Sequence, residues 1–212
     1  MALRFGNYLR LCGTFLGSTL AFPSAAPGGQ VPAFDSGKCN LTTDELDIYS
    51  ATIQEVLLKD HDDSARVIIR ERTSAGYPPG MASMKSTEDE EKDLLGSIST
   101  SARDNFDAQN KTSCILEPHI QPVERIQLLS AREERASFLG RSGSWKLFNA
   151  KYPGAIGFTI VSRIGFNSEH DQALVYLGNS CGLLCGHGYL VVLKKHNGKW
   201  KVLNQASVWA AG

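Results

Sequence analysis

Alternating apolar and polar residues in the C-terminal third of the chain predict four β-strands, over residues 157–166, 172–177, 189–196 and 199–208. Strict alternation in the first strand places four large side chains on one face: Phe158, Ile160, Ile164 and Phe166. The Asn-Gly pair at 197–198 is a strong signal for a two-residue hairpin turn. Such a turn pairs His196 with Lys199, and the same register places Val191 opposite Asn204.

Helical spacing dominates the chain before this region. Residues 43–59 carry apolar positions three and four apart, and Thr42 with Glu45 forms a capping box in front of them. A second helix is expected over residues 101–110, and a third begins after Ser130. Short strands are expected at residues 66–73 and 125–129. Because helices precede a strand-rich end, the sequence predicts an α+β fold, with N-terminal helices packed on a mainly antiparallel C-terminal sheet.

The first residues follow the order of a secretory signal peptide. Arg4 and Arg10 come first, an apolar stretch follows, and a segment of small residues ends at Ala26. The apolar stretch is too short for a membrane helix. The sequence therefore predicts three parts: a signal peptide at residues 1–26, a flexible leader at 27–37 and a single α+β domain at 38–212.

Composition narrows the possible classes of protein. The chain has 212 residues, 42% of them hydrophobic and 21% charged, with a formal net charge of zero. A nucleic-acid-binding protein would need an excess of Lys and Arg to neutralise phosphates, so that class is disfavoured. No later apolar run reaches the length of a membrane helix, so we expect a secreted or periplasmic protein with no integral membrane segment. Nothing in the sequence indicates a cofactor. The sequence does not identify a partner, and a component of the cell envelope is one candidate.

The cysteine count agrees with an oxidising compartment. Removal of a signal peptide takes Cys12 away and leaves an even number, Cys39, Cys114, Cys181 and Cys185, for which three pairings exist. Cys181 and Cys185 flank a tight, glycine-rich bend, so we favour a bond between them. Cys39 and Cys114 then pair by elimination.

The Gly/Cys-rich bend, Cys181 to Gly188, also carries patterns associated with catalysis. Gly178 to Gly182 matches the G-x-S-x-G motif of serine hydrolases, but glycines rather than a helix follow it. No Asp or Glu follows Asp171, so the chain order serine, acid, histidine cannot be met. The motif is therefore not expected to act as a nucleophile elbow.

Zinc binding is the alternative for the same bend. Cys181, Cys185 and His187 lie within seven residues of one another, and His119 or His170 would have to supply a fourth ligand. An oxidising compartment favours a disulfide over two zinc-bound thiolates. We therefore expect a turn closed by a disulfide bond and no metal.

Several short segments carry a resemblance to known proteins. They are the sequences at 145–148 (W-x-x-F), 152–154 (YPG), 162–167 (SRIGFN), 172–176 (QALVY) and 181–186 (CGLLCG). Together they resemble a group of uncharacterised exported bacterial proteins, for which no activity is implied. The helix-first, sheet-last order ending in a G-x-W hairpin is also similar to the cone-shaped fold of nuclear transport factor 2-like domains. That second likeness concerns architecture alone.

Two functions are compatible with these observations. The favoured one is an exported, non-catalytic binding or interaction domain, because no catalytic set of residues is evident. The alternative is a small-molecule enzyme or ligand binder with a pocket lined by the sheet. Its candidate polar groups are Arg163, Tyr176, His187 and, as the carboxylate, Glu71.

Peptide mass mapping of the protein with and without reductant distinguishes the disulfide from the zinc site. We expect two cross-linked peptide pairs, one joining Cys181 to Cys185 and one joining Cys39 to Cys114. Free thiols at Cys181 and Cys185, together with a bound zinc mass, would contradict this expectation.

Overall fold

The fold is organised around a mixed β-sheet. The computed structural model describes residues 37–75, 93–94, 96–121, 123–138 and 144–211, which belong to one compact unit of the chain. Within these residues the strands are β1 (Arg66–Arg70), β2 (Ile126–Leu129), β3 (Ala155–Val161), β4 (Gly165–Phe166), β5 (Gln172–Gly182), β6 (Cys185–His196) and β7 (Lys199–Ala211). The sheet order is β2-β1-β3-β5-β6-β7, and β4 also pairs with β5. β1 runs parallel to β2 and β3, whereas all other pairings are antiparallel.

The described helices precede most of the sheet in the chain. They are α1 (Thr43–Thr52), which continues into a π-helical turn (Ile53–Leu57), α2 (Thr100–Gln109), α3 (Ala131–Phe138) and α4 (Trp145–Lys151). This order, with a mostly antiparallel sheet, confirms the predicted α+β class. The predicted capping box is also present, since Thr42 Oγ1 accepts from the Glu45 amide and the Glu45 carboxylate accepts from the Thr42 amide.

The two central strands, β5 and β6, are buried on both faces. In β5, Ala173, Val175 and Leu177 pack in the cluster that contains α1, whereas Leu174 and Tyr176 pack in the cluster that contains α2. Both clusters exclude water, so residues 173–178 form an unbroken buried run. The protein therefore has three layers, with α1 on one face of the sheet and α2 on the other.

The remaining helices, α3 and α4, cover the β1 and β3 end of the face that α2 occupies. They contribute to a cluster of aromatic rings formed by Phe138, Trp145, Phe148, Tyr152 and Phe158. Phe148 is fully buried at its centre. An ion pair between Arg70 on β1 and Glu134 on α3 fixes the helix against the strand.

Two details of the C-terminal strands differ from the sequence prediction. Residues 157–166 do not form one strand, because the chain breaks at Ser162, whose hydroxyl accepts a hydrogen bond from the Tyr176 amide. Ile164 and Phe166 consequently lie on the α1 face, opposite to Phe158 and Ile160. The predicted placement of all four side chains on one face was wrong.

The second difference concerns the β6–β7 hairpin. The predicted pairing of His196 with Lys199 is confirmed, but Val191 lies opposite Gln205 rather than Asn204. The cause is an extra residue in β7, Leu203, which forms a β-bulge and shifts the register by one.

Parts of the sequence prediction fall outside the described residues. These are the signal peptide, residues 1–26, and all of the leader, residues 27–37, except Gly37. No helix in the described ranges is long and apolar enough to cross a membrane.

An ion pair joins α1 to the hairpin of β6 and β7. Lys195 Nζ lies 2.9 and 2.8 Å from the two carboxylate oxygens of Asp44, and His170 Nδ1 lies 3.5 Å from one of them. The hydrogen bonds from Lys195 hold the pKa of Asp44 below its ordinary value. The side chains of Lys195 and Asp44 are 30% and 26% exposed, so solvent screens this ion pair less than it screens a pair on the surface.

We expect Asp44→Asn to lower the free energy of unfolding by about 1–3 kcal/mol at pH 7, because Lys195 loses its charged acceptor. The pKa of Asp44 is lower in the folded than in the unfolded protein. The stabilisation is therefore present above the ordinary carboxyl pKa of about 4 and is lost as the pH falls through the folded value. Urea denaturation at several pH values measures both effects.

Asp47→Asn is the matched control, since Asp47 is an exposed residue of the same helix, and it should change stability by less than about 0.5 kcal/mol. A double-mutant cycle with Lys195→Gln separates the pair from the helix dipole. A coupling energy near zero would show that the ion pair does not hold α1 in place.

Candidate functional site

The Gly/Cys-rich segment forms the end of a long β-hairpin. The sequence predicted a bend over residues 181–188, between a strand that ends at Leu177 and a strand that begins at Tyr189. In the structure β5 continues to Gly182 and β6 begins at Cys185, so that Leu183 and Leu184 alone form the turn. Most of the residues expected to form a bend therefore belong to longer strands β5 and β6.

Disulfide bonds fix this hairpin and the N-terminal end of the domain. Cys181 and Cys185 are bonded across the hairpin, with their Cα atoms 5.0 Å apart. Cys39 and Cys114 form the second bond, which ties the chain before α1 to the segment that follows α2. Both predicted pairings are confirmed. Within the described ranges, no group of three or more His, Cys, Asp or Glu side chains is placed to hold a metal ion.

The end of the β5–β6 hairpin exposes two large apolar side chains. Leu183 is 91% exposed and Leu184 is 77% exposed. We call these two residues, with the disulfide that closes them, the hairpin tip. No Asp, Glu, Lys or Arg occurs from residue 172 to 193, nor in β7 after Lys201. The tip is thus an apolar protrusion, and the parts of β5, β6 and β7 that lead to it carry no formal charge.

Trp209 supports the hairpin from the α2 face. A Cβ atom added at Gly188 would overlap the indole ring, and one added at Gly186 would lie 2.9 Å from it. The indole therefore lies flat against the backbone of β6, and only glycine leaves room for it. Trp209 Nε1 donates a 2.9 Å hydrogen bond to the hydroxyl of Tyr176.

Tyr176, one of the predicted ligand-binding residues, is fully buried. Burial raises the pKa of its hydroxyl, which stays protonated at physiological pH. A Cβ atom at Gly178 would lie 2.6 Å from the same hydroxyl oxygen, so this glycine also makes room for the Tyr176–Trp209 pair. Three glycines of the segment thus serve the packing of two aromatic side chains.

His187 lies on the opposite face of the sheet from Tyr176. It is exposed, its ring is stacked 6.1 Å from that of Tyr189, and it pairs with Asn179 across the hairpin. Asn179 accepts a hydrogen bond from Thr159 on β3. These side chains lie on the α1 face of the sheet near the tip.

Glu71 and Arg163 occupy two further places. Glu71 follows β1, and its carboxylate accepts a hydrogen bond from the amide of Ala131, the first residue of α3. Arg163 lies in the break between β3 and β4, where Asn110 accepts from its amide and donates to its carbonyl. The four predicted ligand-binding residues are therefore not brought together into one pocket.

The G-x-S-x-G motif is part of a regular strand. Ser180 pairs with Phe158 on β3 and with Gly186 on β6. A nucleophile elbow needs a sharp turn between a strand and a helix, and the chain here runs on in β5. The sequence argument against a serine hydrolase of this type agrees with this geometry.

Sequence reasoning missed Leu183, Leu184 and Trp209 as the residues that define this end of the molecule. The available signal was the combination of two adjacent leucines between paired cysteines with a long stretch free of charged residues. The spacing of Gly186 and Gly188, two apart on a strand face, also indicated a large side chain lying across them.

No protein-family model matches this chain, no curated protein matches its sequence, and no solved structure matches it. The class of protein rests on the geometry alone. It is an α+β domain with two disulfide bonds and a three-layer arrangement, which presents an apolar, disulfide-closed hairpin tip.

We expect Gly188→Ala to lower the free energy of unfolding by about 1–3 kcal/mol, because the added methyl group displaces Trp209. The hydrogen bond between Trp209 and Tyr176 should be lost at the same time. Denaturant unfolding measures the first effect, and the indole Nε1 proton shift in NMR spectra reports the second.

Gly96→Ala is the matched control, since no atom lies within 4 Å of a Cβ at this position. It should leave stability unchanged or raise it by up to about 1 kcal/mol. If Gly188→Ala lowers the free energy of unfolding no more than Gly96→Ala does, the packing of Trp209 does not require a glycine at position 188.

Proposed function

We propose that this protein is an exported interaction domain that binds a partner protein by inserting its hairpin tip into an apolar pocket of that partner. The observation that carries the proposal is the exposure of Leu183 and Leu184 on a protrusion closed by a disulfide. Export is supported by the two disulfide bonds, which persist in oxidising compartments. The resemblance of several short segments to a group of exported bacterial proteins also favours export.

The energetics support the tip as a binding element. Burying two leucine side chains contributes about 3–6 kcal/mol. The Cys181–Cys185 bond restricts the turn before binding, so that less conformational entropy is lost on association. Binding hot spots lie in well-packed, desolvated pockets near the centre of an interface, which is the environment that an inserted tip would have, although Leu is rarer among them than Trp, Tyr or Arg.

A partner protein fits the tip better than a membrane does. The burial energy of two leucines is smaller than that of a single myristoyl chain, which by itself gives only marginal membrane binding. The two strands that carry the tip, residues 172–193, contain no Lys or Arg to attract anionic lipids. A protein pocket adds hydrogen bonds and shape complementarity that a bilayer lacks.

A second copy of the same chain is a less suitable partner. Two convex tips facing each other would bury only four leucine side chains, far less than the roughly 1,000 Å² that a specific interface needs. The edge of the sheet is also poorly suited, because β7 carries a bulge at Leu203 and lysines at 199 and 201. The partner is therefore expected to supply the concave surface.

Site-specific photo-crosslinking in the cells that make the protein tests this proposal. A benzophenone amino acid at position 183 should form one adduct of defined mass with a protein. Leu184→Ser in the same chain should weaken binding, and with it the adduct, about 10- to 100-fold, because each leucine contributes about 1.5–3 kcal/mol. The same amino acid at position 203 is the matched control, since Leu203 is 55% exposed but distant from the tip along β7, and it should give no such adduct.

Opening the disulfide gives an independent comparison. The double variant Cys181→Ser, Cys185→Ser keeps both leucines but frees the turn, and its adduct should weaken by a smaller factor. Adducts with lipid, flotation with phosphatidylcholine vesicles that depends on Leu183, or sedimentation as a dimer that depends on Leu183 would each overturn the proposal.

A further inference from the structure

The two disulfide bonds of the protein differ in how open they are to solvent. At the hairpin tip, Cys185 is exposed and Cys181 is partly buried. In the other bond, Cys39 is partly buried and Cys114 is only 7% exposed. A thiol opens a disulfide only when it reaches one of the two sulfur atoms, so access helps to set the rate of exchange. The two bonds should therefore respond differently to the same reductant.

Glycines flank the bond at the hairpin tip. Gly182 and Gly186 each follow one of the two cysteines, so these positions contribute no side chain that could shield the sulfur atoms. Trp209 lies against β6 from the α2 face, whereas Cys185 shares the α1 face with His187, two residues further along the strand. The indole thus supports the hairpin without covering the bond.

The Cys39–Cys114 bond lies within a network of hydrogen bonds. The amide of Cys39 donates to the carbonyl of Ile115 at 2.8 Å, and the amide of Cys114 donates to Thr73 Oγ1 at 3.0 Å. Thr73 is buried, and its hydroxyl also lies 3.8 Å from the Cys114 sulfur. An attacking thiol would have to displace these neighbours, so this bond is protected.

We propose that the Cys181–Cys185 bond is a site of thiol–disulfide exchange, which a dithiol reductant opens in the folded protein while the Cys39–Cys114 bond stays closed. The consequence of this exchange rests on the proposed function, because the bond restricts the turn that presents Leu183 and Leu184. Reduction changes a rigid binding element into a loose one.

The exchange begins when a thiolate of the dithiol attacks the sulfur of the exposed Cys185. The disulfide bond breaks, its electron pair leaves with the Cys181 sulfur, and that thiolate takes a proton from water. The second thiol of the reductant then attacks the mixed disulfide, which releases Cys185 as a thiol and the reductant as its own disulfide. The protein gains two electrons and two protons in total, and the dithiol loses the same number.

The cysteine pair is a target of exchange rather than a reductant itself. A cysteine becomes a strong nucleophile when a helix N-terminus or a neighbouring cation stabilises its thiolate. This pair lies instead at the end of a β-hairpin, and residues 172–193 contain no Lys or Arg. They contain no Asp or Glu either, so the two strands do not repel an approaching thiolate. The attacking group therefore comes from another molecule.

The fold does not depend on the bond at the tip. Cys181 and Cys185 are 4 residues apart in the chain, whereas Cys39 and Cys114 are 75 apart. A disulfide that closes a short loop restricts the unfolded chain less and so stabilises the fold less. The pairing of β5 with β6 also continues from Ser180 back to Gln172. Reduction should therefore loosen the turn and leave the sheet intact.

Timed alkylation of the full chain tests the proposal. The oxidised protein is treated with dithiothreitol in the absence of denaturant, quenched with N-ethylmaleimide and digested for peptide mass analysis. We expect Cys181 and Cys185 to acquire the label roughly tenfold faster, or more, than Cys39 and Cys114, with an unchanged far-UV circular dichroism spectrum. Equal rates, or faster opening of the Cys39–Cys114 bond, would overturn the proposal.

A substitution beside the bond tests whether access sets the rate. A Cβ atom at Gly182 would lie 3.4 Å from Cys185 Cβ, which is an ordinary contact, so Gly182→Val places a branched side chain next to the bond without overlap at Cβ. It should slow the opening of the tip bond about threefold or more. Gly96→Val is the matched control, since no atom lies within 4 Å of a Cβ there, and it should change neither rate. An unchanged rate in Gly182→Val would contradict the assignment.

The loosening of the tip has a readout that needs no partner. After reduction, backbone ¹⁵N order parameters at residues 182–186 should fall below about 0.6, while those of the central strands stay near about 0.8. Unchanged values at the tip would overturn its conversion into a loose element. Photo-crosslinking through position 183 should then weaken to the level of the variant Cys181→Ser, Cys185→Ser. Absence of any adduct from the oxidised protein would refute the proposed partner, whereas the alkylation rates alone decide the exchange site.

Discussion

The structure depends on the burial of strands β5 and β6 on both faces. Residues 173–178 of β5 are buried without interruption, and so are Leu190 to Leu193 of β6. An antiparallel pair of this kind is stable only when helices cover both faces. α1 covers one face of these strands and α2 covers the other. The break at Ser162 allows β4 to pair with β5 beneath α2. Gly165 is needed there, because a Cβ would lie 2.5 Å from the backbone of Phe106.

The same two strands make the molecule different at its two ends. At the β6–β7 turn the surface is basic, with exposed Lys194, His196, Lys199 and Lys201. β6 has 12 residues, so its other end lies about 40 Å away, where the hairpin tip carries no formal charge. Trp209 and the glycines beneath it replace a helix as the support of that end. The proposed interaction surface is thus the part of the central hairpin that extends beyond its helical cover.

The sequence allowed much of the fold to be predicted, for physical reasons that can be traced to residues. The capping box at Thr42 and the Asn-Gly turn at 197–198 are local signals, and both gave the correct element. The bulge at Leu203 and the break at Ser162 depend on tertiary packing and hydrogen bonds, which no local pattern contains. The glycines at 186 and 188 favoured a bend by composition, whereas their cause is a distant aromatic residue, Trp209. The predicted ligand-binding residues, Tyr176 among them, did not converge on one site, because their positions also depend on tertiary packing.

The proposed function requires the hairpin tip to be a rigid, preformed apolar protrusion rather than a loose loop. Backbone ¹⁵N relaxation of the free, oxidised protein measures this directly at residues 182–186. We expect order parameters of about 0.8 for these amides, close to those of the central strands. Values below about 0.6 at the tip, with rigid strands on either side, would show that the disulfide and Trp209 do not hold the tip in one conformation, and the tip would then not be a preformed binding element.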